Sequence, residues 1–300
     1  MSLLCVGSVA FDSVETPQAR RERVLGGAAV YFSYAASYFA PVRMVGVVGD
    51  DWPEEHTALL RERGICTDGL VQQQGERTFY WRGRYEPNMN DRETLEVELN
   101  AFGQFDPKLP SHYLDSRFVF LANGAPQLQR AVLEQCTRPR LVVADTMDLW
   151  IKTAHADLLE LLKRLDGLVI NDSEAKLLTG DHNLVTAAQR VRDLGPKFVV
   201  VKKGEHGALY VGPDHTYVLP AFPTTRVVDP TGAGDSFAGG MMGYLASQDR
   251  VDEPTLKRAL VYGTLVASFN VEDFSLDRLR QIEREQLDQR LKAYQQMLAV

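Results

Sequence analysis

Leu3-Leu-Cys-Val-Gly-Ser-Val9, followed by Gly27-Ala-Ala-Val-Tyr-Phe-Ser-Tyr-Ala-Ala-Ser-Tyr-Phe39 and by Val42-Arg-Met-Val-Gly-Val-Val48, reads as strand, helix and strand at the head of the chain. The strand-like runs are apolar on both faces instead of alternating, which is the pattern of a parallel sheet covered on both sides. The same unit recurs downstream. Apolar runs at Phe118–Ala122, Leu141–Asp145, Leu168–Asn171 and Phe198–Lys202 alternate with helical patterns at Gln127–Cys136, Ala156–Leu165, Ser173–Leu178 and Leu184–Leu194, and Glu54–Arg63 adds a polar helix. Repeated βα units of this kind predict an α/β fold: a doubly wound, mainly parallel sheet sandwiched by helices.

The interval 72–100 breaks this rhythm. Thr78-Phe-Tyr-Trp-Arg-Gly-Arg-Tyr85 alternates aromatic and basic residues, and Thr94-Leu-Glu-Val-Glu-Leu99 alternates apolar and acidic ones. Period-two alternation predicts strands with one wet face, so a small antiparallel β lid is expected inside a single domain spanning 1–300. A plain solvent-facing extension of the sheet edge is the other reading. At the far end, Asp277–Leu298 is read as one amphipathic helix.

The whole composition narrows the partners. With 45% hydrophobic and 24% charged residues the chain is neither disordered nor fibrous. Its formal net charge of −7 supplies no basic field for a nucleic-acid backbone. Cys5, Cys66 and Cys136 are too widely spaced for a disulfide framework or a C-x-x-C site and read as reduced thiols. The uncharged run from Val24 to Val42 is broken by Gly26-Gly27 and Pro41, so no membrane span is expected; with no signal-peptide pattern the expected location is the cytoplasm.

The chemistry concentrates in Val228-Asp-Pro-Thr-Gly-Ala-Gly-Asp-Ser-Phe-Ala-Gly-Gly-Met-Met-Gly-Tyr244. It reads as a strand ending at Asp229, a Gly-Ala-Gly turn, and an apolar helix opening near Asp235. Amides of Gly232, Ala233 and Gly234 at a helix N-terminus would cradle an anion, with Asp235 beside them as a proton acceptor. Gly239, Gly240 and Gly243 would each cost the helix about 1 kcal/mol against Ala, so close approach to the sheet or to a ligand must offset them. An ordinary capped helix packed tightly on a neighbour is equally compatible with these residues. A dinucleotide fingerprint fails at Phe237 and no Walker A loop occurs. Every histidine precedes Ser236, which removes the hydrolase order Ser, acid, His while leaving other triad orders open.

Asp-Pro-Thr-Gly-Ala-Gly-Asp-Ser-Phe resembles the C-terminal signature of the ribokinase-like, or PfkB, family of carbohydrate and nucleoside kinases. Gly7-Ser-Val-Ala-Phe-Asp12, Gly26-Gly-Ala28, Val45-Gly-Val-Val-Gly-Asp50, Asn171-Asp-Ser-Glu174 and Val201-Lys-Lys-Gly-Glu-His-Gly207 resemble further family segments in family order. The resemblance implies an ATP-dependent phosphotransferase acting on an alcohol of a small carbohydrate, polyol or nucleoside, with Mg2+ and, in some members, K+. It implies Asp235 as general base and Gly232 to Gly234 as anion hole. Asp12, at the end of the first strand, Gly26, Gly27 and Asn123 would meet the substrate. Asn171, Gly204, Gly207 and Thr231 would lie along the nucleotide, Glu174 would hold Mg2+ through water, and Asp229 would meet a monovalent cation. Two departures stand out. Tyr31 occupies a position where sugar kinases often have Asn, and is expected to form an aromatic wall; Lys202-Lys203 replaces the usual Thr and is expected to neutralise nucleotide phosphates. The departures leave open a weakly catalytic or non-catalytic nucleotide- or metabolite-binding protein on the same scaffold. The aromatic lid is expected to cover the substrate and to pair two copies into a homodimer.

Overall fold

The computed structural model describes residues 2–299. Its strands are β1 (Leu3–Val6), β2 (Ala10–Glu15), β3 (Arg20–Gly26), β4 (Val42–Val48), β5 (Ile65–Gln72), β6 (Phe79–Tyr85), β7 (Arg92–Glu98), β8 (Phe118–Leu121), β9 (Leu141–Asp145), β10 (Gly167–Asn171), β11 (Phe198–Lys202), β12 (Ala208–Val211) and β13 (Thr216–Leu219). The helices are α1 (Ala28–Ala36), α2 (Glu54–Glu62), α3 (Asn100–Gly103), α4 (Pro126–Gln135), α5 (Asp148–Thr153), α6 (His155–Leu162), α7 (Asp172–Thr179), α8 (Leu184–Asp193), α9 (Ala233–Gln248), α10 (Glu253–Asn270), α11 (Asp277–Arg280) and α12 (Arg284–Leu298).

Nine strands form the core sheet in the order β13-β12-β11-β10-β9-β8-β1-β4-β5, parallel from β5 to β11 and antiparallel at β12 and β13. Side-chain alternation along β1 divides the interior. Leu3 and Cys5 join the apolar layer containing α1, α9 and α10, while Leu4 and Val6 join the layer containing α4, α6 and α8. Because both faces are buried, the inner strands β1, β8, β9, β10 and β11 have no polar side, as their sequences predicted. The chain leaves β1 toward β4 on one side and toward β8 on the other, so the topology reverses there. Crevices in such sheets open at the carboxyl ends of strands next to the reversal.

Four strands, β3-β2-β6-β7, form the lid sheet. The insertion supplies β6 and β7 as an antiparallel pair, but β2 and β3 come from the segment between β1 and α1, and β2 pairs with β6 in parallel. Asp12 therefore stands within a lid strand, not at the end of the first core strand. Two other expectations change. No strand precedes Asp229, which lies in extended loop, and the C-terminal helix is broken into α11 and α12.

The glycines of α9 allow close helix packing, and the neighbour is another helix instead of the sheet or a ligand. A β-carbon at Gly239 would run into the carbonyl of Phe32 in α1, one at Gly243 would stand 2.7 Å from the Ala36 carbonyl, and Gly240 faces Tyr262 of α10. Among the described residues, no helix is long and apolar enough to cross a membrane.

Candidate active site

The carboxyl ends of three adjacent core strands place three of the site's side chains. β9 ends on Asp145, β10 on Asn171 and β11 on Lys202, with Asn171 directly opposite Lys202 in register. The N-terminus of α9 faces them. Gly232 caps that helix at φ 75°, a left-handed conformation that a side chain disfavours, and Tyr31 of α1 lies against the space where a β-carbon would stand. Asp235 follows in the first turn.

The anion cradle differs from the expected one in a single amide. Ala233 donates its N–H to the Pro230 carbonyl at 3.1 Å, and among the described residues no backbone acceptor takes up the N–H of Gly232 or Gly234. Lys202 replaces what Ala233 withholds: its Nζ lies 2.7 Å from where a β-carbon of Gly234 would be. Two amides without backbone acceptors at the N-terminus of α9 and the Lys202 ammonium thus lie together. Next to Lys202, the Lys203 backbone N–H bonds the Gly207 carbonyl at 2.7 Å.

The carboxyl groups around the cradle are all raised by burial. Burial raises Asp235, with Lys202 and then Arg92 opposing the rise. Asp145, 5% exposed, is pushed well above the carboxylate range by burial and by Asp235, and its Oδ1 has no partner. Glu174 is raised by burial and opposed by Lys202. Asn171 and Glu174 also form a reciprocal capping box on α7: Asn171 Oδ1 accepts from the Glu174 N–H at 2.7 Å, and Glu174 Oε2 accepts from the Asn171 N–H at 2.9 Å. The local cap and the placement in the acid cluster are therefore both realised.

Beside the cradle opens a cavity of about 550 Å3. Lys202, Gly204 and Gly207 line one wall, Ala233, Gly234 and Phe237 another, and Phe222, Pro223, Ala267 and Val271 form an apolar end. The tip of the lid hairpin, Asn88 to Asn90, closes it, and Asn90 donates to Glu205 Oε1 at 3.0 Å.

Asp12 hangs from the lid above Gly26, close enough that Gly26 has no room for a side chain; Gly27 caps α1 at φ 98°. Burial and the neighbouring Asp229 push the Asp12 carboxyl up to about 8. Asp229 is fully buried. Its Oδ1 accepts the Thr231 N–H at 2.9 Å, its Oδ2 has no partner, and burial pushes it up to about 6. Thr231 in turn donates to the Tyr85 hydroxyl at 3.3 Å.

Two expected substrate contacts are changed by packing. Tyr31 is 1% exposed beneath Gly232, so it forms the floor under the cradle instead of an open aromatic wall. Asn123 follows β8, but its amide is engaged, Oδ1 accepting from Trp150 Nε1 at 3.0 Å and Nδ2 lying 3.2 Å from Met147 Sδ.

Sequence reasoning gave no role to Asp145 or Arg92 and marked Trp81 and Tyr85 only as part of an aromatic lid over the substrate. Asp12 pairs with Trp81 across β2 and β6, and Tyr85 pairs with Arg92 across β6 and β7, so the four share one face of the lid. The Arg92 guanidinium lies 5.8 Å from the Trp81 ring, interacts with the Tyr85 hydroxyl, and counters the raised Asp12, Glu174 and Asp235. Asp145 had a signal, since an acid closing an apolar strand marks the carboxyl rim; Arg92 had none.

Comparison with known proteins gives consistent results. A family model described as pfkB family carbohydrate kinase matches residues 2–279. The cytidine kinase of Thermococcus kodakarensis is 30% identical over 251 residues, covering 81% of this chain and 88% of that protein. The nucleoside kinase of Methanothermobacter thermautotrophicus is 28% identical over 301 residues, covering 90% and 89%. Among solved structures, Burkholderia thailandensis nucleoside kinase in complex with inosine superposes with a TM-score of 0.80 at 21% identity, covering 98% of this chain and 97% of that one.

Proposed function

This chain belongs to the pfkB family of carbohydrate kinases, and from that premise we propose that it transfers the γ-phosphoryl group of ATP to a hydroxyl of a nucleoside. One observation carries the reading: an anion cradle, made by the free amides of Gly232 and Gly234 with Lys202, opens beside a nucleotide-sized cavity and next to the acid Asp235. The nucleoside, in preference to a plain sugar, is supported by the cytidine kinase and the nucleoside kinase, two of the relatives matched over most of their length, and by Trp81, an aromatic face beside Asp12 on which a base can stack.

In this reading the adenine occupies the apolar end of the cavity near Phe222 and Ala267, and the phosphates run past Gly204 and Gly207 to the cradle. The Asp12 carboxyl group hydrogen-bonds the acceptor hydroxyls. Asp235 takes the proton of the attacking hydroxyl as its oxygen bonds to the γ-phosphorus and the β–γ bridge breaks, releasing ADP. Such a transition state is loose and charge-rich, so the amides, Lys202 and Arg92 act by preorganised electrostatics. Closure of the lid over the acceptor excludes competing water.

The acid cluster fits a divalent ion. Asp145 Oδ1 is buried without a partner, and burial raises Asp145, Glu174 and Asp235 together, a set of acids that a divalent ion would keep ionised. Asp145 and Glu174 would hold Mg2+, Glu174 through water, and the ion would neutralise phosphate charge. The orphaned Asp229 Oδ2 fits K+ in the same way.

We further propose that the chain works as one domain with 72–100 as part of its cover, and that two copies pair through the lid, because the edge strand β7 exposes Leu95 and Val97. Sedimentation of wild type and of a Val97→Lys variant tests the pairing: a dimer converted to a monomer supports it, and a wild-type monomer overturns it. For the reaction, ADP formation is measured with Mg2+ and a panel of nucleosides, sugars and inositols. Turnover with a nucleoside is expected; turnover confined to free sugars would overturn the acceptor class.

A further inference from the structure

The outer edge of the core sheet carries a cluster that phosphoryl transfer does not use. Cys66 and Asp68 stand two residues apart on β5, the edge strand, and His112 lies in the 310 turn Ser111–Tyr113. One donor atom from each, a sulfur, a carboxylate oxygen and an imidazole nitrogen, lies within 4.8 Å of the other two. His112 Nε2 and Asp68 Oδ2 are 3.1 Å apart.

The cluster is supported from beneath and open above. Tyr113, fully buried, donates its hydroxyl to the Cys66 carbonyl at 2.8 Å, and its ring meets the His112 ring edge-on at a centroid distance of 4.8 Å. A single buried side chain therefore fixes both the strand that bears the thiol and the imidazole. β5 is also bulged here: Arg43 pairs with Cys66 but Val45 pairs with Gly69, so Thr67 and Asp68 together stand against one residue of β4. Bulges at sheet edges serve to re-aim side chains. Above, His112 and Asp68 are 51% and 59% exposed, which leaves an approach path and a fourth coordination position facing water.

We propose that Cys66, Asp68 and His112 bind a thiophilic divalent cation, Zn2+ foremost, with water as fourth ligand. Thiolate and imidazole select Zn2+ over Mg2+, and bonds of about 2.0–2.3 Å need only a small rotation of the exposed side chains to close a tetrahedron. Binding displaces the Cys66 thiol proton to solvent. The ion ties the edge strand to the segment that returns from the lid hairpin to β8, so it staples the sheet edge without touching the cradle.

The test uses the full chain with a thiol-free reductant and excess Mg2+, which occupies oxygen-rich sites. Titration with Co2+ is expected to give one equivalent of intense tetrahedral d–d bands with a thiolate-to-cobalt charge-transfer band, both erased by Zn2+. Cys66→Ser removes the charge-transfer band, and both it and His112→Asn weaken Zn2+ binding about tenfold or more, while ATP turnover is unchanged. His112 is exposed, so its variant reads the site even where the Cys66 variant is poorly folded. A weak octahedral cobalt spectrum, or equal Zn2+ affinity in wild type and His112→Asn, overturns the proposal and leaves His112 and Asp68 as a surface ion pair.

Discussion

The rim of the core sheet and the cleft face of the lid contribute to one site by opposite means. On the rim, Asp145, Asn171 and Lys202 end strands buried on both faces, so their positions follow from the packing of the whole core. On the lid, Arg92 opens β7, exposed at every position, and Trp81 lies on a strand held by two neighbours, β2 and β7. The difference separates two jobs. In the proposed reaction, groups that hold still for phosphoryl transfer are built into the layer with the most burial, while groups proposed to meet the acceptor and complete the charge balance ride on a sheet whose own small cluster is Val14 and Tyr85, closed by Phe274 from the C-terminal segment. Local stability follows buried contact, so lid groups can leave and return as substrates exchange.

The largest expected effect tests the rigid half. Asp235→Asn removes the proton acceptor while keeping its shape, and kcat should fall by roughly 10² to 10⁴, with ATP affinity by calorimetry nearly unchanged. Loss of ATP binding together with kcat would mean that Asp235 organises the nucleotide instead of accepting a proton. Next, Arg92→Ala tests the mobile half. Removing one charged donor from the transition state should cost about 10² in kcat, and a loss appearing only in the acceptor KM would reassign Arg92 to binding. Smaller again is Trp81→Ala. Base stacking contributes about 1–3 kcal/mol, so the nucleoside KM should rise roughly tenfold while the ATP KM holds; an unchanged nucleoside KM would remove Trp81 from the acceptor site.

The same division explains what was legible in the sequence. Core strands such as Leu141–Asp145 and Phe198–Lys202 were readable to the residue because burial on both faces leaves uninterrupted apolar runs. The cradle at Gly232 to Asp235 was readable because so many glycines near one acid are unusual. The lid was only half visible. β3 carries Arg20-Arg-Glu-Arg23 with no clean alternation, and the pairing of β2 with β6 joins residues far apart along the chain. Tyr31 was misplaced because nothing local shows that Gly232, distant in sequence, presses on its ring. Arg92 was hidden among other exposed charges, since its role depends on which face of β7 meets the cleft.

A different effect, one of stability and pH, isolates the interface of the two regions, where Asp12 of the lid approaches Asp229 of the body. Asp12 is pushed up to about 8, whereas an unfolded chain leaves it near its ordinary 3.8. Its folded value is the higher one, so the stability carried by the neutral carboxyl is whole below about pH 4 and is lost as pH rises through about 8. Between those limits the unfolded state has released a proton that the folded state keeps, and stability should fall by up to about 1.4 kcal/mol for each pH unit. Asp229, raised to about 6, adds to the fall in the lower part of the window. Thermal denaturation of the ligand-free protein from pH 5 to 8 should show the decline, and Asp12→Asn should flatten it. Saturating K+ should flatten the part due to Asp229, because a cation at Oδ2 favours the ionised form that burial opposes. A decline identical in wild type and Asp12→Asn would mean that Asp12 keeps its charge in the free protein, with the lid standing farther from Asp229 than the closed arrangement has it.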